Sequence, residues 1–311
     1  MVNKLPLVSI GMPVRNGEKH IRRALDSLLA QKYENFELIV SDNASTDKTR
    51  FICEEYARRD PRIRCYRNTA NIGALPNFQR VLELAEGDFF MWAAADDYFL
   101  PPLVAELLNK LDHHYDAAVA MCAVKRVRED QTVKDIVDYS GKADPSKMSH
   151  FELAMALAAG KPYHLYIYGL YRTEFLRKAF RNFPGVAGGD RLFVCQIALA
   201  TKFQYVNKML YIRQVHRTPI AERFKGDAVG KMWRDFFGRE KTALAIGPYL
   251  WKSGLIPVHR KLYIPPIVFR LCLRMLRSRM RYPLKSVRKP LRYAVRRISQ
   301  IIDVYRNRTN R

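Results

Sequence analysis

The chain has 311 residues, 48% of them hydrophobic, and a formal charge of +24. That length and apolar content are ample for one large α/β domain or two smaller ones. Five scattered cysteines without metal-ligand spacing argue against a disulfide framework, and no window holds the roughly 18 uninterrupted apolar residues that a membrane span requires. The N-terminus leads straight into a strand pattern, so no signal peptide is expected and a cytoplasmic location is. The charge is uneven: from Lys252 onward 17 Lys and Arg residues stand against the single Asp303, which accounts for +16 of the total.

In chain order, Leu7–Met12 reads as a buried strand ended by Pro13. Asn16 can cap the next helix, whose Ile21, Leu25, Leu28 and Leu29 fall at helical spacing. Phe36–Val40 is a second strand, and the cluster Ser41–Asp47 supplies turn and cap residues for a helix that runs to about Arg59 and stops at Asp60-Pro61. A short strand over Ile63–Tyr66 and a helix from about Pro76 to Glu86 follow. Next comes the unbroken apolar run Asp88-Phe89-Phe90-Met91-Trp92-Ala93-Ala94-Ala95, which ends on Asp96 and Asp97. Strands and helices alternating at this spacing predict a doubly wound, mostly parallel sheet. Two carboxylates at the carboxyl end of a central strand sit where such sheets bind ligands, and Mg²⁺ or Mn²⁺ with a substrate diphosphate would balance their charge. The plainer reading is that Asp96 and Asp97 only begin the turn before Pro101-Pro102.

The stretches "VSIGMPVRNGEKHIRRALDSLLAQKYENFELIVSDNASTDKT", "NIGALPNF" and "GDFFMWAAADD" together resemble the N-terminal half of family 2 glycosyltransferases of the GT-A fold, over roughly residues 6 to 130. The resemblance implies that Pro13, Val14 and Asn16 line a nucleotide and that Asp42 contacts its base. It also implies that Asp96 is the metal-binding acid of an Asp-x-Asp element. The first acid of that element, which meets the ribose, is Ala94 here, and Asp97 is the residue that could compensate.

Leu103–Leu111 then reads as a helix, Ala117–Val127 as a strand, residues 129–150 as a mobile polar loop, Phe151–Ala159 as a helix and Tyr163–Tyr171 as a strand. A Gly-rich loop ends on Asp190 directly before a helix that reaches Ala200. An acid there can be an N-cap, and the resemblance implies that it is the general base. A strand over Tyr205–Val215 ends at His216, which is either structural or, by the resemblance, a metal or diphosphate contact.

Beyond Pro257, Leu262–Arg277 and Leu291–Ile302 mix large apolar residues with Arg at helical spacing. Such basic amphipathic helices suit an anionic membrane surface, and their alternatives are packing on the domain or a nucleic-acid tail. No RNA-binding signature surrounds them, so nucleic acid is the weaker expectation.

The organisation expected is a nucleotide-sugar half (1–130), an acceptor half (131–250) and a basic helical extension (251–311). The expected activity is metal-assisted, inverting transfer of a sugar from a nucleotide-sugar, UDP-linked by family habit, to a saccharide or lipid-linked saccharide acceptor in polysaccharide or glycolipid assembly. The protein would be peripheral on the inner membrane face. The competing readings are a sugar nucleotidyltransferase, which would need a Gly-rich basic phosphate loop where "PVRNGEKH" stands, and an inactive domain with a nucleic-acid-binding tail.

Overall fold

The computed structural model describes residues 5–159, 162–181, 183, 189–216 and 247–280. Its centre is strand β1 (Val8–Val14), paired in parallel with β2 (Phe36–Asp42) on one side and β4 (Phe89–Trp92) on the other. The third strand, β3 (Ile63–Arg67), lies outside β2 in the same direction. Every residue of β2 and β4 is buried, as an apolar run covered on both faces demands. Helix α1 (Ile21–Leu29) turns Ile21, Ala24, Leu25 and Leu28 inward, the three-and-four spacing of one helical face. Helices α2 (Thr49–Arg59) and α3 (Ala74–Glu83) complete the crossovers.

The second half joins the same sheet. Its strands are β5 (Tyr98–Phe99), β6 (Ala117–Arg128), β7 (Val133–Val137), β8 (Leu170–Arg172) and β9 (Lys202–Val215). The strand order is β3-β2-β1-β4-β8-β6-β9-β5, with β7 added to β6. β8 runs antiparallel to both β4 and β6, whereas β6 and β9 pair in parallel. The halves expected on either side of residue 130 therefore share one continuous sheet. Helices α4 (Leu103–Asp112), α5 (His150–Ala158), α6 (Thr173–Phe180) and α7 (Gly189–Ala200) cover it. All five cysteines are free thiols.

Three expectations change. Residues 129–150 are not a featureless loop: β7 pairs with β6, and two 3₁₀ turns follow at Gly141–Ala143 and Pro145–Lys147. The aromatic run at Tyr163–Tyr171 is mostly a 3₁₀ helix, Pro162–Tyr168, and only Leu170–Arg172 is strand. Its tyrosine hydroxyls reach buried carbonyls near and far, Tyr171 donating to that of Tyr166 (2.6 Å) and Tyr163 to that of Ala143 (2.8 Å). Asn16 does not cap α1, which begins five residues later behind His20.

Trp92 closes the core beneath β4. Its ring is fully buried among Phe90, Phe78, Phe180 and Tyr171, and its indole N–H donates to the Phe78 carbonyl (3.0 Å). Residues 247–252 are helical, Val258–Tyr263 forms a 3₁₀ helix, and α8 (Ile264–Met280) buries Ile264, Ile267 and Leu271 and packs against α5. The basic helix expected over 291–302 lies outside the described residues.

Gly169 sits where β8 enters between β4 and β6, and a Cβ there would stand 2.6 Å from the Ala120 carbonyl oxygen. Backbone cannot yield as a side-chain tip can. Gly169→Ala should lower the unfolding free energy by about 1–3 kcal/mol, the usual cost of overpacking. Denaturant unfolding would measure it, and a loss below roughly 0.5 kcal/mol would show that β8 can shift to make room.

Candidate active site

The carboxyl ends of β1, β2 and β4 form one rim, because the three strands are parallel and in register, with Val14 opposite Asp42. The loops after β1 and β2 are fastened to each other. Asn16 takes a left-handed backbone (φ 52), which asparagine tolerates, and its Oδ1 accepts the Thr46 N–H (2.9 Å). The Asn16 N–H donates to Ser45 Oγ (2.9 Å), and the Gly17 N–H to Thr49 Oγ1 (2.8 Å). Asn16 therefore joins two loops instead of starting a helix. Pro13 is half-buried beside it.

Asp42 is buried at the end of β2. One oxygen accepts the Ser45 N–H (3.0 Å) and the other the Arg67 guanidinium (2.8 Å). A buried carboxylate needs such company, and Arg67 from β3 supplies it.

Past Trp92 the chain leaves the strand in a tight turn, the Asp97 N–H donating to the Ala94 carbonyl (3.2 Å). Ala94 itself is half-buried. The two acids then point in opposite directions. Asp97 is turned inward, where the Tyr211 hydroxyl donates to one carboxylate oxygen and the Gln214 N–H to the other (2.8 Å). Burial, reinforced by the charge of Asp96, pushes its pKa up to about 7, while Arg213, Tyr211 and Gln214 oppose the rise. With both oxygens accepting donors from β9, Asp97 is a clamp on the turn.

Asp96 faces outward and meets His216, Oδ2 to Nε2 at 2.5 Å, although 120 residues separate them. The cause is β5, which runs antiparallel to β9 with Tyr98 opposite Ile212 and so carries the acids to the end of β9. Nδ1 of His216 lies 3.1 Å from Glu129, and the His20 ring meets His216 edge-on at 5.8 Å. Burial holds the His20 pKa below its usual value. Arg23 braces the group from α1, donating to Gln214 Oε1 (2.5 Å) and Gln131 Oε1 (3.0 Å) with its guanidinium 4.2 Å over the Tyr98 ring. Among the described residues no three His, Cys, Asp or Glu side chains converge as a ready ligand set. Asp96 and His216 are one oxygen and one nitrogen donor, which fits a divalent ion that completes its shell with phosphate oxygens and water.

Asp190 is the second residue of α7, so it stands in the first turn and is not the cap. Most of the Gly-rich loop before it lies outside the described residues. Its charge reaches two side chains of the Pro162–Tyr168 helix. His164 has its pKa pushed down to about 4, mainly by burial, with Asp190 pulling it up and Arg191 and Arg213 pressing it further down. Nδ1 of His164 lies 3.4 Å from the Arg191 guanidinium. Burial pushes the Tyr168 phenol up, and the charges of Asp97, Asp96 and Asp190 all add to the rise. Asp96 and Asp190 thus act on the same ring.

Sequence reasoning passed over Arg213. Its guanidinium stands 5.2 Å over the Tyr168 ring, and it makes no side-chain hydrogen bond or ion pair with a described residue. Its register partner on β6, Arg126, is paired with Asp135 at 2.5 Å. The charges of Asp97 and Asp96 both act on Arg213. An Arg directly after the apolar run Met209–Ile212 was the available signal.

The fold is that of solved glycosyltransferases. S. aureus TarS (1–349), solved in complex with UDP, superposes with a TM-score of 0.63 at 21% identity over 88% of this chain and 73% of that one. The mannosyltransferase PcManGT from Pyrobaculum calidifontis, solved with GDP-Man and Mn²⁺, gives 0.53 at 16% identity over 94% and 80%. Residues 9–180 match the family described as Glycosyl transferase family 2, and the chain belongs to it. An uncharacterized glycosyltransferase of Rickettsia typhi is 38% identical over 111 residues, 35% of this chain and 34% of that protein. The match thus spans about a third of that relative's length.

Tyr211→Phe would leave one oxygen of buried Asp97 without its donor. Hydrogen bonds to charged groups are worth roughly 1.5–3 kcal/mol, so stability should fall by about that much. Thermal or denaturant unfolding would measure it, and an unchanged midpoint would mean that Asp97 is not held by Tyr211.

Proposed function

We propose that the protein transfers a sugar from a nucleotide-sugar, a UDP-sugar by preference, to a hydroxyl of a saccharide or lipid-linked saccharide, with inversion, in the assembly of a polysaccharide or glycolipid. The observation that carries this reading is the meeting of Asp96 with His216 at the sheet's carboxyl rim, where the charges of Asp96 and Asp190 both bear on Tyr168. TarS solved with UDP favours the uridine donor, and PcManGT solved with Mn²⁺ favours a divalent cation.

Pro13, Val14, Asn16 and Ala94 line the nucleotide in this reading. Asp42, already oriented by Ser45 and Arg67, has lone pairs left to accept from the base. Asp96 and His216 would hold Mg²⁺ or Mn²⁺, which when bound offsets the negative charge of the diphosphate. Arg213 supplies a fixed, already desolvated positive charge to the same leaving group. Asp190 takes the proton of the acceptor hydroxyl. The freed oxygen attacks the anomeric carbon, its C–O bond to phosphate breaks on the opposite face, and the electron pair leaves with the nucleoside diphosphate. Attack from behind inverts the centre.

Donor-dependent release of nucleoside diphosphate by the purified protein tests the class. Asp190→Asn should reduce kcat by about 10²–10⁴ while donor affinity is kept. Its stability should move by under about 1 kcal/mol, because only a first-turn charge on the helix dipole is lost. A variant that melts early yet turns over normally would make Asp190 structural. Asp96→Ala, with His216→Ala beside it, should abolish the Mn²⁺-stimulated part of UDP binding in calorimetry and leave uridine binding in place. Undiminished stimulation in both variants would remove the pair from the metal site.

A further inference from the structure

The C-terminal elements use one face to dock and leave another outward. Ile264, Ile267 and Leu271 are buried, Tyr263 packs on Phe151 at 5.0 Å, and Arg260 donates to the Leu199 and Ala200 carbonyls (3.1 and 3.2 Å) at the end of α7. Outward stand Trp251 (47% exposed), Val258 (82%), Leu262 (69%) and Phe269 (43%). Single exposed apolar residues are ordinary, but four large ones within a short, docked segment are not. Lys252 and Arg270 are exposed among them, and Lys261 donates to the Trp251 carbonyl (2.7 Å), which ties the stretch together. The sequence carries no Asp or Glu between Glu240 and Asp303. The chain also continues past α8 for 31 residues that contain ten Lys and Arg.

We propose that this outward face is a docking surface for an anionic lipid bilayer. Trp251, Val258, Leu262 and Phe269 enter the interfacial zone, and Lys252 and Arg270 pair with headgroup phosphates. Positive charge without any interspersed acid is the complement of an anionic leaflet. The apolar members choose between the two polyanions that such charge could meet. Val258 and Leu262 are aliphatic, so they offer no π-face for base stacking and gain nothing from a sugar–phosphate backbone, whereas a bilayer interface buries them. The surface does not depend on the transfer chemistry and is tested apart from it.

The test is flotation of the full-length protein with vesicles of phosphatidylcholine alone or mixed with phosphatidylglycerol, over a salt series. The protein should float with the anionic vesicles at low salt and keep part of its binding at high salt, since screening weakens charge pairing but not apolar burial. Val258→Ser/Leu262→Ser changes two exposed side chains and should leave the melting temperature in place. It should lose the salt-resistant part, with affinity down about tenfold, equivalent to roughly 1.4 kcal/mol. Lys252→Gln/Arg270→Gln should instead weaken the low-salt binding. Wild-type protein that floats with neither vesicle, a serine variant that matches wild type at every salt concentration, or retention on RNA without vesicle binding would each overturn the proposal.

Discussion

The site depends on a buried acid that takes no part in the proposed chemistry. Asp97 ties the turn after β4 to β9 through Tyr211 and the Gln214 amide. Adjacent residues in that turn point in opposite directions, so fixing Asp97 inward fixes Asp96 outward, against His216. The cost of burying the carboxylate shows in its raised pKa, and it is offset by donors that only β9 can bring. Two strands far apart in sequence are thereby held so that a carboxylate and an imidazole share one spot.

The rim at the ends of β1 and β2 is built on a different principle. There the loops after β1 and β2 are short and bonded to each other through Asn16, Ser45 and Thr46. Their register follows from the pairing of Val14 with Asp42. A surface made of backbone and small polar groups is thus set by the parallel sheet, whereas the acids across from it are set by an antiparallel return.

The N-terminal strands and helices were legible because each declares its own period: β2 and β4 are apolar runs, and α1 repeats at three and four. Asp96 was legible as the end of such a run. Other features depend on partners distant in the chain, and local pattern does not report these. The 3₁₀ course of Pro162–Tyr168 follows from tyrosine hydroxyls finding buried carbonyls, such as Tyr166 with that of Gln204 (3.1 Å). Whether Asp97 faced solvent or Tyr211 could not be read from two adjacent Asp letters. Arg213 stood in plain view in a strand, but that its neighbour Arg126 has Asp135 while no described acid pairs with Arg213 is a fact of the β6–β7 hairpin.

Helix α7 carries Asp190 in its first turn, and at its other end the Leu199 and Ala200 carbonyls are held by Arg260. Twelve residues at 1.5 Å each make a rod of about 18 Å. The C-terminal segment and the candidate base are thereby the two ends of one rigid spacer. Fixing one end in space sets the height at which the other works. With the C-terminal face held on a surface, the length of that rod would set how far from the surface the carboxylate stands.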